Sequence, residues 1–418
     1  MYLKGSKWQL RKRRQRQKSN PVKVIMLILT IALVRYFDQF VVVEVFPSSA
    51  TPTPTATANP EVFLEEAREH MEVGNLTKAI SSYQQAALYD QANPSIYVEL
   101  ARVQLFAGQY EAAETSAQNA LLLNSDYPRA LAYYGWALSS LGKDQEAEQI
   151  LLLAIEKDPS SAEANAFYAE LLADQEDYAG AGDFSRRAME LNPGLFEVRL
   201  ARGYVLERTD NYDQALAEYQ AAMVINSKIA ELHLSLGRVY WAQQRFQEAI
   251  DAFNSAANLN PEDPLPHAYL SRIFTQIGEY GKAMQAAQKA VENDPTNPVR
   301  YGRWGAALFN NDLYLDAADA FSIAVHGGVT EDNQVVTGLP LNYETAEFYA
   351  LYGLALARSQ QCGQAIPVFR DILAGVPADE IAVYNANVGL DICRSNPGSA
   401  PTETPTEEGG LAARMALR

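Results

Sequence analysis

Residues 230–263 read AELHLSLGRVYWAQQRFQEAIDAFNSAANLNPED. Apolar residues recur at helical spacing in two runs, split by the polar Gln243-Gln244-Arg245 and closed by Pro261. Such a row reads as two antiparallel helices, helix A at row positions 1–14 and helix B at about 17–31. The same plan recurs every 34 residues from Pro60, giving eight rows without a gap. Ala79, Ala113, Ala147, Ala181, Ala215, Ala249, Ala283 and Ala317 share one column. Ala86, Ala120, Ala154, Ala188, Ala222, Ala256, Ala290 and Ala324 share another. A third holds only small residues: Ala67, Ala101, Gly135, Ala169, Gly203, Gly237, Ser271 and Gly305. Small residues at a fixed phase mean close helix approach, where overpacking costs about 1–3 kcal/mol per site. One helix pair cannot bury its own apolar face, so the rows must stack into a continuous core.

Further columns sharpen the plan. Tyr110, Tyr178, Tyr212, Phe246, Tyr280 and Tyr314 each follow a polar or glycine-containing turn, and Pro159, Pro193, Pro261 and Pro295 end their second helices. These residues resemble the tetratricopeptide repeat (TPR) family, whose pattern has a small residue at position 8, Gly at 15, Tyr at 17, Ala at 20, an aromatic at 24, Ala at 27 and Pro at 32. The resemblance covers Pro60 to about Pro377. It implies an all-α, right-handed superhelical solenoid of about nine repeats with a C-terminal cap helix. Eight repeats fill 60–325. An insertion at 326–345 precedes a ninth repeat at 346–378, carried by Gly353, Cys362, Ala365 and Phe369, and a cap helix at 379–394.

Charge divides the 418 residues sharply. Nine of the 34 Lys and Arg residues lie in 1–23, which has no Asp or Glu, leaving 25 basic residues against 51 acidic ones. A body that acidic repels phosphate backbones, which disfavours nucleic acid as a partner. The apolar run Val24 to Val34 has 11 residues, too few to cross a core of about 30 Å; extension to Val43 gives 20 but takes in Arg35, Asp38 and Gln39. Arg35 and Asp38 are three apart, so one helix face pairs them. Three readings stand for this segment. A retained transmembrane helix at 24–46 is preferred, a signal peptide cleaved near Ser48-Ser49-Ala50 is second, and a nuclear-type basic tract is third. With the charge on one side, residues 1–23 are expected as a cytoplasmic tail and the repeats on the extracytoplasmic side. Residues 47–59 form a Thr/Pro stalk of extended character, and 395–418 read as a disordered tail.

The family's superhelix exposes a concave surface lined by helix A positions 2, 5, 9, 12 and 13. Carried over, position 9 gives Arg68, Arg102, Trp136, Glu170, Tyr204, Arg238, Arg272 and Ala306. Position 12 adds Trp241 and Phe309, and position 13 adds Phe106 and Arg208. Tyr204, Arg208, Arg238, Trp241 and Arg272, with Arg102 and Trp136, are the candidate partner-binding residues. Arg and large aromatic side chains on an inner groove suit an extended or acidic peptide. The competing reading pairs Arg238 and Arg272 with Glu207 or Glu231 and makes Trp241 packing. The Lys and Asn set of the family's chaperone-tail clamps is missing, as is the Asn ladder of sugar-transferase arrays.

Chemistry-bearing patterns are sparse. His233 and His267 share position 4 but nothing completes a zinc set, so packed histidines are expected, with no metal and no cofactor. No phosphate loop, nucleophile elbow or His-Glu-x-x-His is present, which points to a non-catalytic chain. Cys362 opens helix B of the ninth repeat and Cys393 ends the cap helix, near one edge. Disulfide and paired buried thiols remain equal readings. The insertion, with Gly327-Gly328 and Gly338-Leu339-Pro340, is either a functional loop or an insertion without a role.

Overall fold

The computed structural model describes residues 59–330 and 332–395. The basic tail, the 24–46 anchor, nearly all of the stalk and the tail beyond Ser395 lie outside the described residues. No described helix is long and apolar enough to cross a membrane.

Among the described residues nineteen helices stack in chain order, α1 to α19. The first four pairs are α1 (Pro60–Glu72) with α2 (Leu76–Tyr89), α3 (Pro94–Phe106) with α4 (Tyr110–Leu123), α5 (Pro128–Ser140) with α6 (Asp144–Lys157), and α7 (Ala162–Asp174) with α8 (Tyr178–Leu191). The next four are α9 (Phe196–Arg208) with α10 (Tyr212–Ile225), α11 (Ala230–Ala242) with α12 (Phe246–Leu259), α13 (Pro264–Gln276) with α14 (Tyr280–Asn293), and α15 (Pro298–Asn310) with α16 (Tyr314–His326). Repeat nine is α17 (Ala346–Arg358) with α18 (Cys362–Gly375), and α19 (Glu380–Ser395) closes the stack.

Local chemistry sets these boundaries. Pro60, Pro94, Pro128, Pro264 and Pro298 open first helices, where a missing N–H costs nothing, and Asn59, Asn93, Asp263 and Asn297 cap four of them by accepting a backbone N–H. Between paired helices the chain takes one left-handed residue at row position 15. Repeats one, two, three and seven place Gly74, Gly108, Gly142 and Gly278 there; the others force Glu176, Asp210, Gln244, Asp312 and Gln360 into the same conformation. A side chain there costs about 1–2 kcal/mol in backbone sterics. Gln244 is exposed at φ 60°. Gln244→Gly is therefore expected to raise the stability of its repeat by about 0.5–1 kcal/mol, less than the steric relief because glycine also loosens the unfolded chain. Urea unfolding of the variant beside the wild type reads this, and an unchanged or lower midpoint would refute it.

The small column faces row position 24. A Cβ on Gly203 would lie 2.4 Å from the Tyr219 ring, and one on Gly237 2.6 Å from the Phe253 ring. Both rings are fully buried. In repeats two and four, Ala101 and Ala169 share their repeats with the smaller Ala117 and Ser185 at position 24, whereas Ala67 of repeat one shares its repeat with the buried Tyr83.

The 326–345 segment is a folded insert rather than an open loop. Gly328–Val329 (β1) pairs antiparallel with Val335–Val336 (β2), adding a two-stranded hairpin to the helices of the described residues. Leu339 N–H donates to Ala324 O at 2.9 Å, and Tyr349 OH donates to Leu339 O at 2.7 Å. The insert is thereby tied to the repeats on both sides, and α17 still packs Phe348 against Gly302 of α15.

Candidate partner-binding groove

Winding brings first helices together that are far apart in sequence. A Cβ on Gly74, in the first turn of repeat one, would lie 2.6 Å from Cβ of Lys228, in the link before repeat six. Between them, the inner faces of α3, α5 and α9 meet. Arg102 Nε donates to Glu197 Oε1 at 2.5 Å across 95 residues of sequence, and Tyr133 OH donates to the same oxygen at 3.1 Å. Phe106 packs edge-on against Phe196 at 5.4 Å and Trp136 at 5.8 Å, and Trp136 stacks on Phe167 at 4.4 Å. Glu197 is 1% exposed. Burial alone raises its carboxyl, but the Arg102 charge, the Arg102 and Tyr133 hydrogen bonds and a backbone N–H hold it below the usual range.

This placement separates the seven groove candidates. Arg102 and Trp136 belong to the brace across the groove, and Phe106 is buried with them. Arg238 makes a two-point pair with Glu207, at 2.7 and 3.1 Å, with Glu231 at 3.5 Å, and Tyr219 OH donates to Glu207 at 2.8 Å. Burial works against its charge, yet the Glu207 carboxylate holds the guanidinium well above its ordinary pKa. Tyr204 OH donates to Asp174. These four are occupied within the chain.

Arg208, Trp241 and Arg272 are differently placed. Arg208 and Arg272 are exposed, and neither forms a salt bridge among the described residues. Arg272 lies over the Trp241 ring at 4.5 Å, and the Trp241 indole N–H donates to Gln276 at 2.9 Å. Partial burial lowers the Arg272 pKa, and Arg303 of the next repeat adds repulsion. The stack of Arg on aromatic continues with Arg303 over Phe348 at 5.1 Å and Arg358 over Phe309 at 5.1 Å.

The sequence reading did not single out the acidic cavity beside the brace. It has a volume of about 220 Å³ and takes its walls from repeats two to six and the link into repeat seven. Trp136 and Tyr204 share it with Glu170, Asp174, Glu231 and Asp263, and no Lys or Arg among the described residues lines it. Burial pushes Glu170 well above the carboxylate range, with Asp174, Glu231 and Glu197 adding repulsion and the Trp136 N–H opposing. Glu231 and Asp263 are raised by burial as well, against Arg238 and the Leu265 backbone N–H respectively. Glu170 at position 9, among arginines and aromatics, was the available signal.

His233 Nε2–H donates to Ser227 O at 2.9 Å, and burial lowers the His267 pKa. No three His, Cys, Asp or Glu among the described residues are grouped to hold a metal ion. Cys362 and Cys393 are joined as a disulfide.

Residues 98–162, 200–264 and 234–298 match a family model described as tetratricopeptide repeat. Over these residues the chain carries tetratricopeptide repeats. Among solved structures, a chain of the APC/C hetero-tetramer Cut9-Hcn1 is similar with a TM-score of 0.59 at 14% identity, over 79% of this chain and 66% of that one. That likeness supports the TPR solenoid as the fold. A tetratricopeptide repeat protein from Parabacteroides merdae ATCC 43184 is similar at 17% identity and a TM-score of 0.40, over 60% of this chain and 98% of that one. No curated protein matches the chain. A TPR stack of this kind is compatible with a protein-interaction scaffold.

Proposed function

We propose that the chain is a non-catalytic, membrane-anchored TPR scaffold that binds a protein partner along the inner surface of its later repeats. The observation that carries this reading is the pair of exposed arginines, Arg208 and Arg272, without a salt-bridge partner among the described residues of a strongly acidic chain. Each lies at an inner position of helix A, and Trp241 beside Arg272 supplies an aromatic anchor. Such a ridge suits an extended segment bearing carboxylates. Residues 24–46 would hold the array at a membrane with the tail 1–23 in the cytoplasm, and the Cys362–Cys393 disulfide favours an oxidising, extracytoplasmic side for the repeats. Confinement to the membrane plane would add avidity in assembling an envelope complex.

A second reading is an exported regulatory subunit of an envelope enzyme, docked through residues 326–345 or the convex face. Val329, Val335 and Tyr343 favour it, being more than half exposed on the insert. One experiment separates the two. Full-length chain is recovered from native membranes with its bound proteins, beside an Arg208→Glu/Arg272→Glu variant and a Val329→Asp/Val335→Asp variant. Circular dichroism first establishes that all three are folded. The charge-reversed variant is expected to lose the partner by about tenfold or more and the insert variant to keep it. The opposite pattern moves the site to the insert, and equal recovery with all three refutes both surfaces.

A further inference from the structure

Of the cavity's carboxylates, Glu231 shares Arg238 with Glu207, whereas Glu170 and Asp174 form no salt bridge among the described residues. Arg102 is held by Glu197 and Glu99, and Arg238 by Glu207 and Glu231. Glu197 keeps Oε2 without a hydrogen-bond partner, buried, on the α9 face whose next turns, Leu200 and Tyr204, line the cavity. Asp174, Glu231 and Glu197 repel the part-buried Glu170, and a cation entering beside Glu170 and Asp174 would relieve that repulsion. The carboxylates are not grouped tightly enough for a metal ion. Aromatic rings complete the wall, and their faces attract organic cations. About 220 Å³ is smaller than the roughly 300–1,000 Å³ of pockets that enclose drug-sized molecules, and suits a single side-chain head group.

We infer that this cavity is a receptor for one basic side chain, the ammonium of a lysine or guanidinium of an arginine on the bound partner, held by Glu170 and Asp174 against the aromatic wall. The inference deepens the scaffold reading and rests on it only for the source of the cation. A partner would then present a basic residue here and carboxylates at Arg208 and Arg272. The cavity takes its walls from repeats two to six, Arg208 lies in repeat five and Arg272 in repeat seven, so the step from the cavity to Arg272 is what would set the partner's direction.

The test needs no knowledge of the partner. The full chain is titrated calorimetrically with three blocked pentapeptides, alanine throughout except for a central Lys, Arg or norleucine, and with agmatine as a free cation. Saturable binding of the Lys or Arg peptide, absent for norleucine, is expected. Glu170→Gln/Asp174→Asn should weaken it about tenfold or more. Asp174→Asn alone keeps the acceptor for Tyr204, leaves the buried residues untouched and should weaken binding in the same direction, so a folding failure of the double variant leaves the test intact. Equal binding of the norleucine peptide, or none by any cation, overturns the inference. Agmatine bound with both basic peptides excluded overturns the assignment to a partner's side chain. Because these probes bypass Arg208 and Arg272, failure here is distinct from failure of the ridge.

Discussion

Arg102→Ala is expected to lower the stability of the first five repeats by about 3–5 kcal/mol, more than any surface substitution in the chain. The reason is what remains behind. Glu197 is 1% exposed, one oxygen already lacks a partner, and the other depends on Arg102 and Tyr133. Without the guanidinium, a desolvated carboxylate is left without its counter-charge. The pH dependence follows from the direction of the shift. In the native chain the Glu197 pKa is lowered, so its contribution is present above the unfolded carboxylate pKa and is lost as pH falls through the folded value. In the variant, burial without Arg102 raises that pKa, so stability is present at low pH and is lost as pH rises through the raised value. The gap between the two proteins should therefore narrow on acidification from neutral pH. Arg102→Met/Glu197→Gln removes both charges while leaving Tyr133 an acceptor, and should recover most of the loss. Urea unfolding of the three proteins at neutral and mildly acidic pH checks it. A gap that is constant with pH, or a double variant as weak as the single, would show that the brace acts through packing alone.

Arg102 also marks the limit of what the sequence discloses. The 34-residue period is legible because each repeat solves one packing problem, so Gly203 and Gly237 fall in the same column for the same reason, the buried ring across from each. The turn after helix A is legible too, even where Gln244 replaces glycine, because the flanking helices fix its position. Contacts across the groove have no such column. Whether position 9 faces a partner or another repeat depends on how tightly the stack winds, and the winding is the sum of small rotations that no single row encodes. Arg102 and Trp136 meet the fold instead of a partner because α9 returns onto α3 and α5, three repeats after α3. Arg272 sits at the identical position with exposed surroundings. The cavity of Glu170 arises from the same return and is equally invisible row by row. In the insert, β1 and β2 are two residues each, too short for alternation to register.

Removing the disulfide should produce the other large effect, and a local one. Cys362 begins α18 and Cys393 lies near the end of α19, 31 residues apart in sequence. Closing a loop of that length restricts the unfolded segment by about 3–4 kcal/mol on the chain-entropy account. Beside the disulfide the cap helix buries Ala382, Ala386 and Gly389 and packs Val388, Leu390 and Ile392 only in part, whereas Ile381 and Tyr384 are 75% and 69% exposed. Gly389 meets the Phe369 ring so closely that a Cβ there would have no room, so the disulfide and this contact together keep α19 on repeat nine. In a solenoid each repeat is supported mainly by its neighbours, and the loss should not spread far toward the first repeats. Cys362→Ser/Cys393→Ser is expected to abolish hydrogen-exchange protection in α19 and weaken it in α18, with repeats one to five unchanged. Reductant applied to the wild type should reproduce the pattern. A fall in protection along the whole array would mean that the C-terminal cap governs the cooperativity of the entire stack. No change at all would mean that the Phe369 contact suffices, and that the redox state of the compartment has no mechanical consequence for the array.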